Sequence, residues 1–212
     1  MSELLVKVCG MTRAEDVTLC ASLGVDMLGF IFHPPSPRCV TLAAAGTLKA
    51  PGPRRVGVFV HQDPDQVLFA MEEAALDLAQ LHGDQDEDFC RAVGPERVVK
   101  VLWPQRFQDL RELEAALARF APVCSYFLLD AGTSGGGHGT VLEARRLKGL
   151  QCPRPWLLAG GMGPDTLVSS LRACSPAGVD LNSGVEHHPG VKDPGKIRAA
   201  LTRIQQYKDT VI

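Results

Sequence analysis

Eight short apolar runs recur along this chain, and their number and spacing constrain its fold more than any other feature. Each run is rich in branched residues and continuous rather than alternating, a pattern that predicts strands buried on both faces. The runs occupy residues 4–8, 27–32, 55–60, 78–81, 98–102, 123–129, 156–159 and 178–181.

Segments with the spacing of amphipathic helices separate these runs. In the segment 107–120, for example, Leu110, Leu113 and Leu117 share one face and charged residues lie opposite. Helices are predicted at residues 14–23, 41–48, 64–75, 86–93, 107–120, 166–174 and 194–207. A capping residue before a proline marks three helix starts, at Asp63-Pro64, Gly163-Pro164 and Asp193-Pro194.

Alternation of strands and helices implies an α/β fold with parallel strands joined by helical crossovers. A doubly wound open sheet and a closed barrel both fit this pattern, and the count of eight favours a (β/α)8 TIM barrel. The 212 residues lie near the lower bound of ~200 for that fold. No linker-like or low-complexity stretch interrupts the series, so residues 1–212 are predicted to form a single domain.

The composition argues against several other classes of protein. Lys and Arg total 22 and Asp and Glu total 24, a balance unlike that of nucleic-acid-binding domains. The apolar runs are too short to cross a bilayer, and no signal peptide is visible at the N-terminus. Seven cysteines without a Cys-x-x-Cys pair indicate reduced thiols and no structural zinc. These features favour a cytoplasmic enzyme.

Chemistry in a barrel of this kind lies at the carboxyl ends of the strands. Cys9 directly follows the first run, where a thiol with a lowered pKa can act as a base, although a buried structural cysteine is the alternative. Asp130 directly follows the sixth run, where desolvation would raise its pKa and allow general-acid catalysis near neutral pH. A structural partner for a loop N–H group is the alternative for Asp130.

Two further side chains satisfy the same positional criterion. Arg38 lies in a proline-rich loop after the second run and can pair bidentately with a carboxylate, unless it is a solvated surface arginine. His82 follows the fourth run and fits a proton shuttle, a polar wall of a pocket or a packing residue.

Small residues follow the last two runs, where such barrels often bind phosphate. Gly160-Gly161 and Ser183-Gly184 would let backbone N–H groups approach phosphate oxygens at the start of a short helix. Tight turns without a ligand are the alternative, but two such pairs at these two runs favour a phosphate site.

Motifs along nearly the whole chain are similar, in order, to those of one enzyme family. They lie at residues 7–12, 29–32, 36–38, 56–59, 80–83, 128–130, 158–161, 178–186 and 190–194. The first reads Lys-Val-Cys-Gly-Met-Thr and the eighth ends in Asn-Ser-Gly-Val-Glu. Together they resemble phosphoribosylanthranilate isomerase. One loop departs from the family pattern, because His138 stands where the family usually has lysine.

The resemblance implies an enzyme of tryptophan biosynthesis that performs the Amadori rearrangement of N-(5-phosphoribosyl)anthranilate. It assigns Cys9 as general base and Asp130 as general acid, and it implies neither a metal nor an organic cofactor. Arg38 would hold the anthranilate carboxylate, and Lys7 would support the charge of the thiolate. The implied substrate-binding residues are Lys7, Arg38, His82, Gly160, Gly161, Asp180, Ser183 and Gly184.

Two other functions remain open at the level of sequence. The first is another phosphate-binding barrel enzyme, such as an epimerase or an indole-closing synthase. The synthase would need a catalytic lysine inside the barrel, for which Lys7 is a candidate. A non-catalytic phosphate-sensing barrel is the other. The sequence implies no partner protein and allows a monomer or a homodimer.

Overall fold

The computed structural model describes residues 4–131 and 141–211, in which eight parallel strands close a barrel in chain order. The strands are β1 (Leu5–Val8), β2 (Met27–Ile31), β3 (Arg54–Phe59), β4 (Leu78–Leu81), β5 (Val98–Leu102), β6 (Tyr126–Asp130), β7 (Trp156–Ala159) and β8 (Gly178–Leu181). Lys7 of β1 is in register with both Met27 and Asp180, so β1 joins β2 to β8 and closes the sheet. The prediction of a (β/α)8 barrel is confirmed.

Helices follow the strands around the outside. They are α1 (Ala14–Ser22), α2 (Leu42–Thr47), α3 (Pro64–Glu73), α4 (Glu87–Val93), α5 (Leu110–Phe120), α6 (Val141–Arg146), α7 (Leu167–Cys174) and α8 (Pro194–Val211). Two of the predicted proline starts are confirmed. Asp63 accepts a hydrogen bond from the N–H of Gln66, and Asp193 accepts hydrogen bonds from the N–H groups of Gly195 and Lys196.

The structure corrects the sequence interpretation at several boundaries. Gly163-Pro164 forms a turn and α7 begins only at Leu167, because the hydroxyl of Thr166 accepts the Gly163 N–H and the Gly163 carbonyl accepts the Thr166 N–H. The sixth strand begins at Tyr126 rather than at residue 123, because Pro122 lies in a 3₁₀ helix that follows α5.

The structure also moves the start of one helix and adds two elements that the sequence did not predict. Helix α5 begins at Leu110 instead of residue 107, because the Asp109 carboxylate caps the N–H of Glu112. Helix α6, which is six residues long, was not among the predicted helices. A hairpin of β9 (Glu186–His188) and β10 (Val191–Lys192) follows β8 and was not predicted either.

Apolar side chains form two clusters. The larger one fills the layer between the barrel and its helices. The buried members of the smaller one all come from strands; they are Met27, Val56, Leu78, Val99, Val101, Leu128 and Ala159. Polar side chains occupy the interior nearer the carboxyl ends of the strands, so the barrel positions a site at that end. Within the described residues, no helix has the length and apolar character needed to cross a membrane.

Candidate active site

A cavity of about 420 Å³ opens at the carboxyl ends of the strands. Eight of the ten residues implied for the site contribute to its wall: Cys9, Arg38, His82, Asp130, Gly160, Gly161, Asp180 and Ser183. The remaining two are next to lining residues: Lys7 pairs with Asp180, and Gly184 follows Ser183 in the chain. The predicted loop that contains His138 lies outside the described residues.

Cys9 directly follows β1 and is only 3% exposed. Its N–H donates to the carbonyl oxygen of Leu181 in β8, at 2.8 Å. A Cβ atom on Gly29 of the neighbouring strand would lie 2.6 Å from the Cys9 sulfur. Glycine at position 29 therefore makes room for the thiol at the bottom of the cavity.

Lys7 and Asp180 form a buried ion pair beneath Cys9. The Lys7 Nζ donates to Asp180 Oδ1 at 2.9 Å, and the two side chains are 1% and 7% exposed. Burial alone would lower the pKa of Lys7, but Asp180 and Cys9 outweigh it, so the pKa is raised and the ammonium stays charged. Burial raises the pKa of the Asp180 carboxyl, and Lys7 opposes that effect.

The pKa of the Cys9 thiol is raised, whereas a lowered pKa was the expectation for a catalytic base. Burial raises the pKa of Cys9, and Asp180 raises it further. Lys7 opposes the rise through its charge and a hydrogen bond to the thiol, and Lys192 opposes it through its charge. The net pKa is above the ordinary value, because desolvation of the thiolate outweighs both cations.

Asp130 and His82 face each other across the cavity wall. The His82 Nε2 lies 3.8 Å from Asp130 Oδ2, beyond hydrogen-bonding distance in this arrangement. The side chain of His82 is 30% exposed and that of Asp130 is 24% exposed, and both line the cavity. Burial and then the charge of Lys7 lower the pKa of His82 to about 4, so its imidazole is neutral at pH 7.

The guanidinium of Arg38 is held by Glu186, the first residue of β9. Arg38 Nε donates to Oε1 at 2.9 Å and Nη2 donates to Oε2 at 2.6 Å, a bidentate geometry. Arg38 is 14% exposed and Glu186 is 3% exposed, so the alternative of a solvated surface arginine is wrong. A guanidinium has five N–H groups, more than Glu186 engages, which leaves donors for a ligand in the cavity.

Glu186 also accepts a hydrogen bond from a second cationic side chain. The Lys192 Nζ, which is fully buried, donates to Glu186 Oε1 at 2.8 Å and to Asn182 Oδ1 at 3.0 Å. Burial would raise the pKa of Glu186, but Arg38 and Lys192 outweigh it and the pKa is lowered. Glu186 therefore remains ionised and fixes Arg38 at the rim of the cavity.

The turns after β7 and β8 pack closely against each other. Gly160 and Gly161 have φ angles of 107° and 63°, which only glycine adopts readily. A Cβ on Gly184 would overlap the carbonyl oxygen of Met162, so glycine is required there for backbone contact between the two turns. A 3₁₀ helix over Ser183–Val185 begins immediately after β8. The Val185 N–H donates to the Asn182 carbonyl oxygen, so the N–H groups of Ser183 and Gly184 are the ones in this turn that can bind an anion.

Sequence reasoning missed several residues of this site. Glu186 and Lys192 lie within the quoted motifs at 178–186 and 190–194, so the spacing of an acid and a base around a short hairpin could have identified them. Gln80 directs its side chain to the same cavity from β4, and Trp103 packs edge-on against His82 with ring centroids 5.3 Å apart. An aromatic residue after a strand is a weak signal in sequence.

A thiol, a carboxylate and an anchored guanidinium around one cavity, next to glycine turns after β7 and β8, define a class: a (β/α)8-barrel enzyme for a small anionic substrate. Comparison with known families makes this specific. The family model for N-(5'phosphoribosyl)anthranilate (PRA) isomerase matches residues 6–203. The chain belongs to this family.

Individual relatives agree with the family assignment. The chain is 54% identical to the N-(5'-phosphoribosyl)anthranilate isomerase of Maridesulfovibrio salexigens over 203 residues, covering 96% of this chain and 99% of that protein. The crystal structure of phosphoribosyl anthranilate isomerase from Thermus thermophilus is 36% identical with a TM-score of 0.81, and the match covers 96% and 99% of the two chains.

A third similar structure contains a ligand. It is phosphoribosyl anthranilate isomerase in complex with reduced 1-(o-carboxyphenylamino)-1-deoxyribulose 5-phosphate. That chain is 30% identical to this one, with a TM-score of 0.77 and coverage of 96% of this chain and 100% of the other.

Proposed function

We propose that this protein converts N-(5-phosphoribosyl)anthranilate into 1-(2-carboxyphenylamino)-1-deoxyribulose 5-phosphate, an Amadori rearrangement in tryptophan biosynthesis. The observation that carries the proposal is the presence of Cys9 and Asp130, from opposite sides of the barrel, on the wall of one cavity. The reaction needs one acid and one base on opposite sides of a sugar, and these two side chains supply that pair.

The first step opens the ribose ring. The Asp130 carboxyl donates its proton to the ring oxygen as the bond between that oxygen and C1′ breaks. The nitrogen lone pair forms the C1′=N double bond, which gives a cationic Schiff base and a free hydroxyl at C4′. Asp130 is then a carboxylate, and the substrate carries the proton that it lost.

The second step removes a proton from C2′. Cys9 takes this proton in its thiolate form, which Lys7 and Lys192 favour against the burial that raises the pKa of the thiol. The adjacent Schiff base acidifies the proton, and the C–H electrons form an enolamine. The enolamine then gains a proton at C1′ and loses one from the C2′ hydroxyl, so a ketone forms without net oxidation. Lys7 stabilises the thiolate, because its ammonium is charged and hydrogen-bonds to the thiol.

The substrate carries anions at both ends, and the cavity offers cationic and N–H groups for each. Arg38, which Glu186 fixes, would hold the anthranilate carboxylate. Gly160, Gly161, Ser183 and Gly184 would hold the phosphate through backbone N–H groups. His82 and the Lys7–Asp180 pair would contact or support the sugar between these ends.

Turnover of the purified chain tests this proposal. The anthranilate adduct is fluorescent, and its fluorescence should disappear on conversion at a rate proportional to enzyme concentration. Binding of the adduct without its conversion would indicate the phosphate-sensing barrel. Closure of an indole ring from separately supplied 1-(2-carboxyphenylamino)-1-deoxyribulose 5-phosphate, without consumption of the adduct, would instead indicate the synthase. Either outcome would overturn the proposal.

The proposed unit of function is one chain, with residues 1–212 forming a single domain, because every assigned site residue belongs to one barrel. The proposed location of the enzyme is the cytoplasm. Both a monomer and a homodimer are compatible with such a site. A related structure from Thermotoga maritima describes monomers generated from a dimeric phosphoribosylanthranilate isomerase. Light scattering coupled to size-exclusion chromatography would determine which state this chain adopts.

A further inference from the structure

Gln80 presents an unusual arrangement in the wall of the cavity. Its side chain is 2% exposed, and its Nε2 lies 3.2 Å from the Nδ1 of His82. Its Oε1 is buried and has no hydrogen-bond partner within residues 4–131 and 141–211. A buried carbonyl without a partner destabilises a fold, so its retention calls for an explanation.

The contact with His82 specifies where the imidazole carries its hydrogen. An amide NH₂ group is a donor, so the Nδ1 that receives it must be an acceptor, and the hydrogen of the neutral ring then lies on Nε2. Rotation of the amide would instead leave an N–H group without a partner, which proteins tolerate less well than an unpaired carbonyl. The arrangement with the unpaired oxygen is therefore the better one.

The tautomer matters because His82 is neutral. Burial, Lys7, Lys100 and His33 together lower the pKa of His82 to about 4, although Asp180 opposes them. A neutral imidazole has one N–H group, and its position decides which neighbour can receive it. The Nε2 atom is the one that faces Asp130, at 3.8 Å from Oδ2.

We propose that Gln80 is a positioning residue that fixes His82 as its Nε2–H tautomer, so that an uncharged N–H group faces Asp130 throughout the reaction. This inference rests on the proposed role of Asp130 as the general acid. When Asp130 gives its proton to the ring oxygen, the carboxylate that forms gains a donor 3.8 Å away, and a small movement completes the hydrogen bond. The Gln80 amide directs its Nε2 donor at the Nδ1 of His82, and this orientation leaves Oε1 without a partner within the described residues.

Replacement of Gln80 by methionine separates this role from a purely structural one. Gln80→Met keeps the length of the side chain and removes both the donor and the unpaired oxygen. We expect a melting temperature equal to or above that of the parent, a KM within about twofold and a kcat about tenfold lower, a smaller loss than the ~100-fold of the acid itself. A residue with only a structural role would show loss of stability instead.

The tautomer is measured directly in the full chain by ¹⁵N NMR of the His82 ring. The parent should show the Nε2–H form, Gln80→Met a mixture of both forms, and Gln80→Glu the Nδ1–H form, because a carboxylate accepts the Nδ1 hydrogen. In a His82→Ala background, Gln80→Met should leave kcat unchanged. An Nδ1–H tautomer in the parent, or a further fall of kcat in that background, would overturn the inference.

Failure of this inference is distinguishable from failure of the proposed function. Absence of turnover in the parent chain would overturn the function, whereas the NMR tautomer would still be measured. Turnover in the parent with the wrong tautomer would overturn the inference about Gln80 alone.

Discussion

Lys7 and Asp180 are paired across the seam that closes the barrel, with 2.9 Å between Nζ and Oδ1, and Cys9 lies directly above them. The alternation of side chains along a strand places Lys7 and Cys9, two residues apart, on the same face. The ion pair therefore acts on the thiol in two opposite ways. Lys7 lowers the pKa of Cys9 and Asp180 raises it.

Opposite substitutions in this pair should shift the pKa of Cys9 in opposite directions. Lys7→Met removes the cation, so the thiolate should form only at higher pH. Asp180→Asn removes the anion and leaves Cys9 as an anionic partner of Lys7, so the thiolate should form at lower pH. The measurement is the rate of alkylation of Cys9 by iodoacetamide against pH, with the modified peptide quantified by mass spectrometry. Shifts of the same sign in both variants would contradict the electrostatic account.

Arg38 should contribute to binding more than to chemistry. Loss of a hydrogen bond to a charged ligand costs about 1.5–3 kcal/mol, so Arg38→Ala should raise KM by about tenfold to a hundredfold with a smaller change in kcat. Glu186→Gln should also raise KM, because Arg38 loses the ion pair that fixes its guanidinium. Arg54→Ala, at an exposed arginine in β3, is the control. An unchanged KM in Arg38→Ala would count against the assigned role.

The contact between the turns after β7 and β8 should be sensitive to a single methyl group. Gly184→Ala places a Cβ against the carbonyl of Met162, which must shift, so both the phosphate site and the fold should be affected. We expect weaker inhibition by inorganic phosphate and a lower melting temperature. Gly46→Ala is a matched control within α2, where the new Cβ meets only an ordinary contact at 3.6 Å. That variant should be more stable by about 0.5–1 kcal/mol.

Arg55 should be important for stability although it is far from the chemistry. Its guanidinium is buried and donates to the carbonyl oxygens of Ala45, Leu48, Ala74 and Ala75, which lie at the ends of α2 and α3. The Ala45 carbonyl also accepts the N–H of Leu48, whereas the carbonyls of Leu48, Ala74 and Ala75 lie beyond the last hydrogen bonds of their helices.

Arg55→Met would leave several of those acceptors buried without a donor. We expect a loss of about 2–4 kcal/mol in the free energy of unfolding, measured by urea denaturation. Arg54→Met changes an exposed neighbour and should remain within about 0.5 kcal/mol of the parent. Equal stability of the two variants would show that the buried contacts of Arg55 contribute little.

The strands were predictable because the sequence encodes them locally. Four of the eight predicted runs coincide with the observed strands, and the other boundaries move by three residues or fewer. The strands of a closed parallel barrel are buried on both faces, so each strand forms a continuous apolar run that differs from the segments beside it. The β9–β10 hairpin lacked such a signal, because strands of three and two residues are too short for periodicity to appear.

The position of the site followed from topology, but its electrostatics did not. Cys9, Asp130 and Arg38 end predicted runs or follow them, and the carboxyl ends of parallel strands meet at one end of the barrel. The partner of Arg38 is 148 residues away in Glu186, and the partner of Lys7 is 173 residues away in Asp180. Local patterns contain no information on such pairs, and the desolvation of Cys9 depends on packing from several strands.

Cys9 as the general base is the central claim, and the turnover of a Cys9→Ala chain tests it most directly. The account predicts no measurable conversion of N-(5-phosphoribosyl)anthranilate, with an unchanged melting temperature and unchanged binding of the reduced product analogue. Asp130→Asn, assayed alongside, should lose at least ~100-fold in kcat. Turnover by Cys9→Ala at the rate of the parent chain would contradict the account.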